Sequence, residues 1–149
     1  MNTIQMFRQL ALVAAVSMSA GTAWAELPEA TMYKDPNCGC CSKWAEHMRA
    51  AGFAVKEVPS QAMGRIKSQL GVPEALGSCH TARIGNYVIE GHVPAADVKR
   101  LLAEQPAGAR GLSAPGMPMG SPGMEGGTPD RYDVVQFNAD GGETVFARH

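Results

Sequence analysis

Apolar positions along the chain recur in two spacings, which alternate up to about residue 104. Spacings of three and four residues, as among Trp44, Met48 and Ala51, are typical of an amphipathic helix, whereas short apolar runs that end at turn residues indicate strands. The predicted strands are 30–34, 53–58, 81–84 and 87–90, and the predicted helices are 42–51, 62–70 and 95–104. The elements therefore follow the order strand, helix, strand, helix, hairpin, helix.

Turn residues separate these elements. An Asp-Pro-Asn turn at 35–37 ends the first predicted strand, Gly52 and Gly71 stop the first two helices, and a Gly-Asn pair at 85–86 joins the hairpin. This order is the one expected of a thioredoxin-like α/β domain. That fold keeps its active site at the junction of the first strand and the first helix, so we expect residues 38–41 to be functional.

From residue 106 to residue 129 the composition changes to Gly, Pro, Met and Ser, with no helical or strand period. A segment of this length inside a compact domain is usually functional or disordered. Residues 132–138 and 143–147 then indicate a closing β-hairpin across an Asp-Gly-Gly turn. Because ordered sequence resumes, we expect 106–129 to be a tethered Met/Gly/Pro-rich loop within a single domain that spans residues 26–149.

The first 25 residues have the three parts of a secretory signal: a charged start at Arg8, an apolar run at 10–20, and an Ala-Trp-Ala cleavage site at 23–25. The apolar run is too short to span a bilayer, which needs about 20 apolar residues. We therefore expect cleavage after Ala25, export, and no stable membrane insertion.

Removal of Arg8 with the signal changes the formal net charge from −1 to −2. No basic stripe or run of Lys and Arg offers a footprint for nucleic acid, so DNA-binding and RNA-binding functions are excluded. Export places the cysteines in an oxidising compartment, where thiols become disulfides unless something such as a bound metal protects them.

Three of the four cysteines lie within four residues, in Cys38-Gly39-Cys40-Cys41 just before the first helix. Thiolates are soft ligands, and a site that gathers them selects Cu(I), zinc or iron–sulfur clusters. Gly39 lets the backbone curve so that the three sulfurs converge, and the start of the helix lowers the pKa of the thiols. Cys38 and Cys41 also have the Cys-x-x-Cys spacing of redox-active dithiols, and would be the catalytic residues of a redox protein.

Further candidate ligands lie elsewhere in the chain. Cys79, with the adjacent His80, would complete a four-sulfur set that suits copper clustering or a tetrahedral zinc site. His92 lies in a loop that a thioredoxin-like fold brings against the cysteines. Met117 and Met119 offer thioethers, which favour Cu(I) over zinc, on a loop with no core to bury them.

Two other histidines are expected to take no part in a single-metal site. His47 follows Cys40 by seven residues, which is roughly 10 Å along a regular helix. We expect His47 on the helix surface or beside a larger cluster. His149 is the last residue of the sequence and is expected to be uninvolved.

Less specific interpretations of the same residues stay open. The three clustered cysteines would also fit a structural disulfide with a leftover thiol, and Cys79 could pair with one of them in an oxidised form. His80 and His92 could be ordinary hydrogen-bonding residues. The Met-rich loop could be an unstructured linker.

Four motifs, in the same order, carry a resemblance to a known family. They are the Tyr-Lys-Asp-Pro-Asn-Cys-Gly-Cys-Cys run at 33–41 with Trp44 and His47, Ser-Cys-His-Thr at 78–81, Glu-Gly-His-Val-Pro-Ala at 90–95, and the Met-containing runs at 115–118 and 120–125. The chain resembles the CopG-type copper-resistance proteins, small exported proteins long catalogued as a domain of unknown function. The resemblance spans nearly all of residues 26–149.

The resemblance implies a reduced thioredoxin-like fold in the Gram-negative periplasm and a role in copper tolerance that includes redox cycling of copper. It implies copper as the cofactor, held as Cu(I) in a multinuclear cluster, and other periplasmic copper-handling proteins as partners. The implied ligands are Cys38, Cys40, Cys41 and Cys79, with His80, His92, Met117 and Met119 nearby.

Three functional hypotheses follow. The first is a periplasmic Cu(I)-binding protein that contributes to copper resistance. The second is a thiol-disulfide or copper oxidoreductase that uses Cys38 and Cys41, although Cys40 places a competing thiol where proline commonly stands. The third is a structural zinc module, which the Met-rich loop does not explain.

Overall fold

A computed structural model describes residues 26–149, so the predicted secretory signal and its cleavage site lie outside the described residues. The described chain is a mixed α/β structure in which seven strands form one sheet and three α-helices pack on it. The strands are β1 Ala30–Lys34, β2 Val55–Pro59, β3 His80–Ile84, β4 Tyr87–Gly91, β5 Ala109–Ala114, β6 Asp133–Asn138 and β7 Glu143–Arg148, the helices are α1 Gly39–Ala50, α2 Met63–Leu70 and α3 Ala95–Glu104, and a 3₁₀ turn covers Glu74–Leu76.

The sheet has the strand order β2-β1-β3-β4-β5-β6-β7. The pairs β1/β2 and β4/β5 are parallel, and the other neighbouring pairs are antiparallel. In this register Lys34 is opposite His80, and Thr81 is opposite Glu90. The carboxyl end of β1, the start of β3 and the end of β4 therefore meet at one edge of the sheet, and this edge carries the cysteines.

Both faces of the sheet are covered. Val88 and Ile89 are neighbours in β4, so their side chains point to opposite faces, and they belong to two separate buried clusters. The larger cluster includes Trp44 and Met48 of α1 together with residues of α3, whereas the smaller one includes Leu76 and side chains near α2. Among the described residues, no helix is long and apolar enough to cross a bilayer.

The order of elements expected up to residue 104 is the order observed. The first helix begins at Gly39, three residues earlier than its apolar spacing indicated, so that it includes Cys40 and Cys41. The closing hairpin is also present, as β6 and β7.

The prediction that residues 106–129 contain no strand was wrong. Residues Ala109–Ala114 form β5, which lies in the middle of the sheet between β4 and β6. At Gly111 the neighbouring strands leave no room for a side chain, because a Cβ atom there would overlap the Val88 carbonyl oxygen and lie 2.8 Å from Cζ of Phe137. The irregular segment between β5 and β6, residues 115–132, is called the strap below.

Candidate metal centre

The three clustered cysteines are placed by the turn between β1 and α1. The carbonyl of Asp35 accepts a hydrogen bond from the Cys38 amide at 3.0 Å, and Oδ1 of Asp35 accepts one from the Asn37 amide at 2.8 Å. This turn makes Cys38 the N-cap residue of α1, and no side chain caps the helix there. The three clustered sulfurs therefore lie at the N-terminus of α1. Unpaired amide groups and the helix dipole favour negative charge at this position.

The four cysteine sulfurs lie within 4.8 Å of one another. Cys38 and Cys41 form a disulfide, whereas Cys40 and Cys79 are free. The Cys40 sulfur is 3.5 Å from the Cys38 sulfur. The structure thus brings together all four cysteines that the sequence singled out, in an oxidised form that leaves two thiols.

Cys79 also faces two histidines. Its sulfur is 2.9 Å from Nε2 of His92 and 3.5 Å from Nδ1 of His80. Burial and the nearby Cys40 together raise the pKa of the Cys79 thiol to about 12, with burial the larger cause. The thiol is therefore protonated in the metal-free protein, and a metal that bound it would release a proton.

His92 is held in one tautomer by the strap. Its Nδ1 lies 2.7 Å from the carbonyl oxygen of Pro122, which can only accept a hydrogen bond, so Nδ1 carries the proton. Burial lowers the pKa of His92, which keeps the ring neutral. Nε2 therefore presents a lone pair toward Cys79, the arrangement in which a histidine binds a metal while its other nitrogen donates to a carbonyl.

His80 is completely buried between aromatic rings. Its ring centroid is 4.5 Å from that of Trp44 and 5.0 Å from that of His92. Burial holds the pKa of His80 well below its usual value, and the neighbouring His92 and Lys67 act in the same direction. Nε2 of His80 has no hydrogen-bond partner within residues 26–149. A buried polar atom without a partner is costly, whereas Nδ1 of the same ring faces the Cys79 sulfur and is the nitrogen within reach of a metal held there.

The strap crosses the site and is attached on both sides of it. At one end the Gly116 amide donates to the carbonyl of Gly77 at 3.0 Å, and the Ser78 hydroxyl donates to the carbonyl of Gly116. At the other end Gly123, with a φ of +90°, passes so close to α1 that a Cβ atom there would lie 2.7 Å from the Cys40 carbonyl oxygen. The strap therefore contacts the chain on both sides of the site, at Ser78 beside Cys79 and at Cys40 in the three-cysteine turn.

Comparison with known proteins gives two matches. Residues 76–124 match a family model described as a protein of unknown function, DUF411. Two solved structures of copper resistance protein CopG, forms 2 and 1, each have 44% sequence identity to this chain over 82% of its length and 98% of theirs, with TM-scores of 0.78 and 0.77. The chain belongs to the CopG-type copper-resistance family. No curated protein matches it.

In this CopG-type chain the two methionines predicted as ligands, Met117 and Met119 of the strap, differ in their surroundings. Met117 follows the anchoring residue Gly116, and its side chain is 53% exposed. Met119 is half-buried and packs against Gly127, while its amide donates to Asp130 at 2.8 Å. Their role as copper ligands stays a prediction.

His47 has a role that the sequence analysis missed. Its Nε2 accepts a hydrogen bond from the Ala95 amide at 3.0 Å, so it caps α3 from outside the helix. Nε1 of Trp44 likewise donates to the carbonyl of Val93 at 2.9 Å. These two bonds join α1 to the turn that carries His92. The His47 side chain is half-buried rather than on the surface, and only its position in the fold reveals the contact.

Glu90 was also missed as a functional candidate. It is completely buried in β4, although the rest of that strand is apolar or small. A carboxylate inside an apolar strand was the available signal, because buried charges are rare unless they are paired.

Proposed function

We propose that this protein is a periplasmic copper-binding protein that holds Cu(I) in a cysteine thiolate cluster and so contributes to copper resistance. The observation that carries the proposal is the convergence of four sulfurs within 4.8 Å beside two neutral histidines. Sulfur and imidazole donors select copper and zinc over hard cations. The similar solved structures are named for copper resistance, and the thioethers of the strap favour Cu(I) over zinc.

We also propose that the first four strands and the three helices form a thioredoxin-like unit. Its support is the strand order β2-β1-β3-β4, with β1 parallel to β2 and antiparallel to β3, and the position of the cysteine turn between β1 and α1. Strands β5 to β7 then extend that unit at the β4 edge.

A four-thiolate cluster requires the Cys38–Cys41 disulfide to be reduced. Reduction takes two electrons and two protons and converts one disulfide into two thiols, so that all four sulfurs become available. In the oxidised protein Cys40 and Cys79 are the thiols that remain for a metal, beside His80 and His92. We therefore expect the affinity for Cu(I) to depend on the redox state of the protein.

Titration of the reduced protein without air tests the proposal. Cu(I) is supplied as a complex with a chromophoric chelator, and transfer to the protein is read from the loss of colour. We expect the reduced protein to take Cu(I) from the chelator, the oxidised protein to take less, and Cys40→Ser to be strongly impaired. Failure to compete at every stoichiometry would exclude the proposal. Tighter binding of zinc than of Cu(I) would favour the structural zinc module instead.

The periplasmic location needs a separate test. The full chain is expressed in a Gram-negative host, and the mass of the mature protein is measured in the periplasmic fraction. We expect a chain that begins at Glu26. Recovery of the full-length chain in the cytoplasm would contradict the proposal.

The Cys38–Cys41 disulfide favours a second candidate, a copper or thiol oxidoreductase. In the copper reaction, the two thiols would give up two electrons and two protons, reducing two Cu(II) ions to Cu(I) and forming the disulfide. A thiol donor would then be needed to restore the dithiol. A metal-free disulfide-reductase assay and a Cu(II) reduction assay test this candidate, and lack of turnover in both would exclude it.

A further inference from the structure

The buried carboxylate of Glu90 is not explained by the copper site itself. Glu90 is completely buried, and three groups donate hydrogen bonds to it. The Thr81 hydroxyl donates to Oε2 at 2.6 Å, the Lys67 ammonium donates to Oε1 at 2.5 Å, and the Ser78 amide donates to Oε1 at 2.7 Å. A buried charge is stable only with such partners, so Glu90 joins α2, β3 and the turn before β3 at one point.

The Ser78 amide links this network to the metal site, because Ser78 directly precedes Cys79. The Ser78 hydroxyl also donates to the strap at Gly116. Ser78 therefore has its backbone fixed by a buried carboxylate and its side chain fixed by the strap. Neither contact involves a proposed ligand.

The segment that follows Glu90 in the chain is also constrained. Gly91 follows Glu90 with a φ of +71°, and a Cβ atom there would lie 2.9 Å from the carbonyl oxygen of Ala114 and would overlap the Ser78 side chain. His92 comes next, and its Nε2 reaches the Cys79 sulfur. The segments 78–79 and 90–92 thus run side by side in contact, with Glu90 bound to Ser78 and His92 facing Cys79.

We infer that Glu90, neutralised by Lys67, is a positioning residue that fixes the Cys79 sulfur against His92 and the three-cysteine turn. The decisive contact is the hydrogen bond that Glu90 accepts from the Ser78 amide. Lys67 offsets the free-energy cost of burying the carboxylate charge. The consequence for copper rests on the function proposed above. The positioning itself is a property of the metal-free protein and can be tested without metal.

In the oxidised protein, the Cys40→Ser substitution leaves Cys79 as the one free thiol. The experiment measures the rate at which iodoacetamide alkylates Cys79 in this background. Glu90→Leu removes the acceptor, and we expect the rate to rise at least about tenfold as the 78–79 segment opens locally. Glu90→Gln keeps an oxygen that can accept the Ser78 amide proton, so its rate is expected to stay within about threefold of the parent. If Glu90→Leu does not fold, Lys67→Met replaces it in the experiment. Its alkylation rate is expected to lie above that of Glu90→Gln and below the rate predicted for Glu90→Leu.

The matched control is Asp97→Leu, which removes another buried carboxylate, bonded to His149 at 2.7 Å rather than to Ser78. Equal alkylation rates in the Asp97 and Glu90 leucine variants, at equal folded fraction, would overturn the inference. So would a Glu90→Gln rate as fast as that of Glu90→Leu.

Copper affinity gives the second measurement, made in the chain with all four cysteines. We expect Glu90→Leu to lose about 10- to 100-fold in Cu(I) affinity, the usual effect of removing a group that orients a metal ligand, and Asp97→Leu to lose far less. If the parent protein binds no Cu(I), the proposed function fails while the alkylation result still decides whether Glu90 positions Cys79.

Discussion

Cys38, Cys40 and Cys41 come from one turn of the chain, whereas Cys79, His80 and His92 reach the same site only through contacts between distant elements. We call these two groups the local side and the assembled side. The local side is fixed by backbone bonds within residues 35–38 and by the start of α1. The assembled side depends on Glu90, on the strap, and on the bonds that α1 makes to the turn before α3.

This difference has a practical consequence. Substitutions far from the metal ligands should disturb the assembled side and leave the local side intact, because the local side needs few tertiary contacts. The sulfur trio would then keep some affinity for soft metals, while the complete site would lose its selectivity and tightness. The following experiments test that division, starting with the largest expected effect.

Replacing Cys79 by Ser separates the two sides most completely. We expect the Cu(I) affinity to fall by about 1000-fold, or about 4 kcal/mol, because the site loses one of four sulfur ligands and structural four-ligand zinc sites bind with about 10–16 kcal/mol. The measurement is chelator competition on the reduced protein. The fold should persist, since Cys79 is free of disulfides. Unchanged affinity would mean that the local side alone holds copper.

Replacing Gly123 by Ala should lift the strap from α1. The new Cβ atom would lie 2.7 Å from the Cys40 carbonyl oxygen and 2.9 Å from the backbone nitrogen of Trp44. The φ angle at this position is +90°. Positive φ and overpacking together give an expected loss of about 3 kcal/mol in the free energy of unfolding, measured in urea.

Gly141→Ala is the matched control for that experiment, because Gly141 has a φ of +85° but no neighbouring atom within 4 Å of an added Cβ. It should lose only about 1 kcal/mol. Equal losses in the two variants would show that the strap does not press on the three-cysteine turn.

Replacing His47 by Ala removes the acceptor for the Ala95 amide, and we expect a loss of about 1 kcal/mol in the free energy of unfolding at pH 8. Burial lowers the pKa of His47 in the folded protein, although Glu125 partly opposes this. The unfolded chain therefore binds the extra proton first, and stability due to His47 is lost as the pH falls through the unfolded pKa of about 6.5.

The advantage of the parent protein over His47→Ala should accordingly shrink between pH 8 and pH 5 in urea unfolding. His80 and His92 remain in both proteins, so their titration does not enter this difference to first order. A difference in stability that is constant over this range would argue against a neutral His47 as the cap of α3.

Replacing Met117 by Leu should have the smallest effect. Met117 is largely exposed, so we expect the free energy of unfolding to change by less than about 0.5 kcal/mol. A thioether ligand worth about 1 kcal/mol would lower the Cu(I) affinity about fivefold and leave the zinc affinity unchanged. Equal Cu(I) affinities in competition would remove Met117 from the ligand set.

The local side was predictable from sequence because its residues are contiguous. The predicted strand 30–34 and helix 95–104 have the observed bounds, and both are set by local apolar spacing and turn residues. Cys79 and His92 could be singled out by residue type and by family resemblance. Their contact at 2.9 Å could not be predicted, because it depends on how segments far apart in sequence pack.

Strand β5 and the Glu90 network could not be predicted from local sequence patterns, for the same reason. The Ala-Arg-Gly-Leu-Ser-Ala sequence of β5 has weak strand propensity, and it forms a strand through its pairing with β4 and β6. The bonds from Lys67 and Ser78 to Glu90 span 23 and 12 residues. Residue spacing carries no information about contacts of that range.

The Cys38–Cys41 disulfide is chemically asymmetric, because Cys41 is completely buried and Cys38 is only partly so. An incoming thiolate would therefore reach the Cys38 sulfur, form the mixed disulfide there, and expel Cys41 as the leaving group. The expelled thiolate emerges in the first turn of α1, where the free amides stabilise its charge. Reduction would therefore begin at Cys38, and it would be completed when a second thiolate attacks the outer sulfur of the mixed disulfide and releases the Cys38 thiolate.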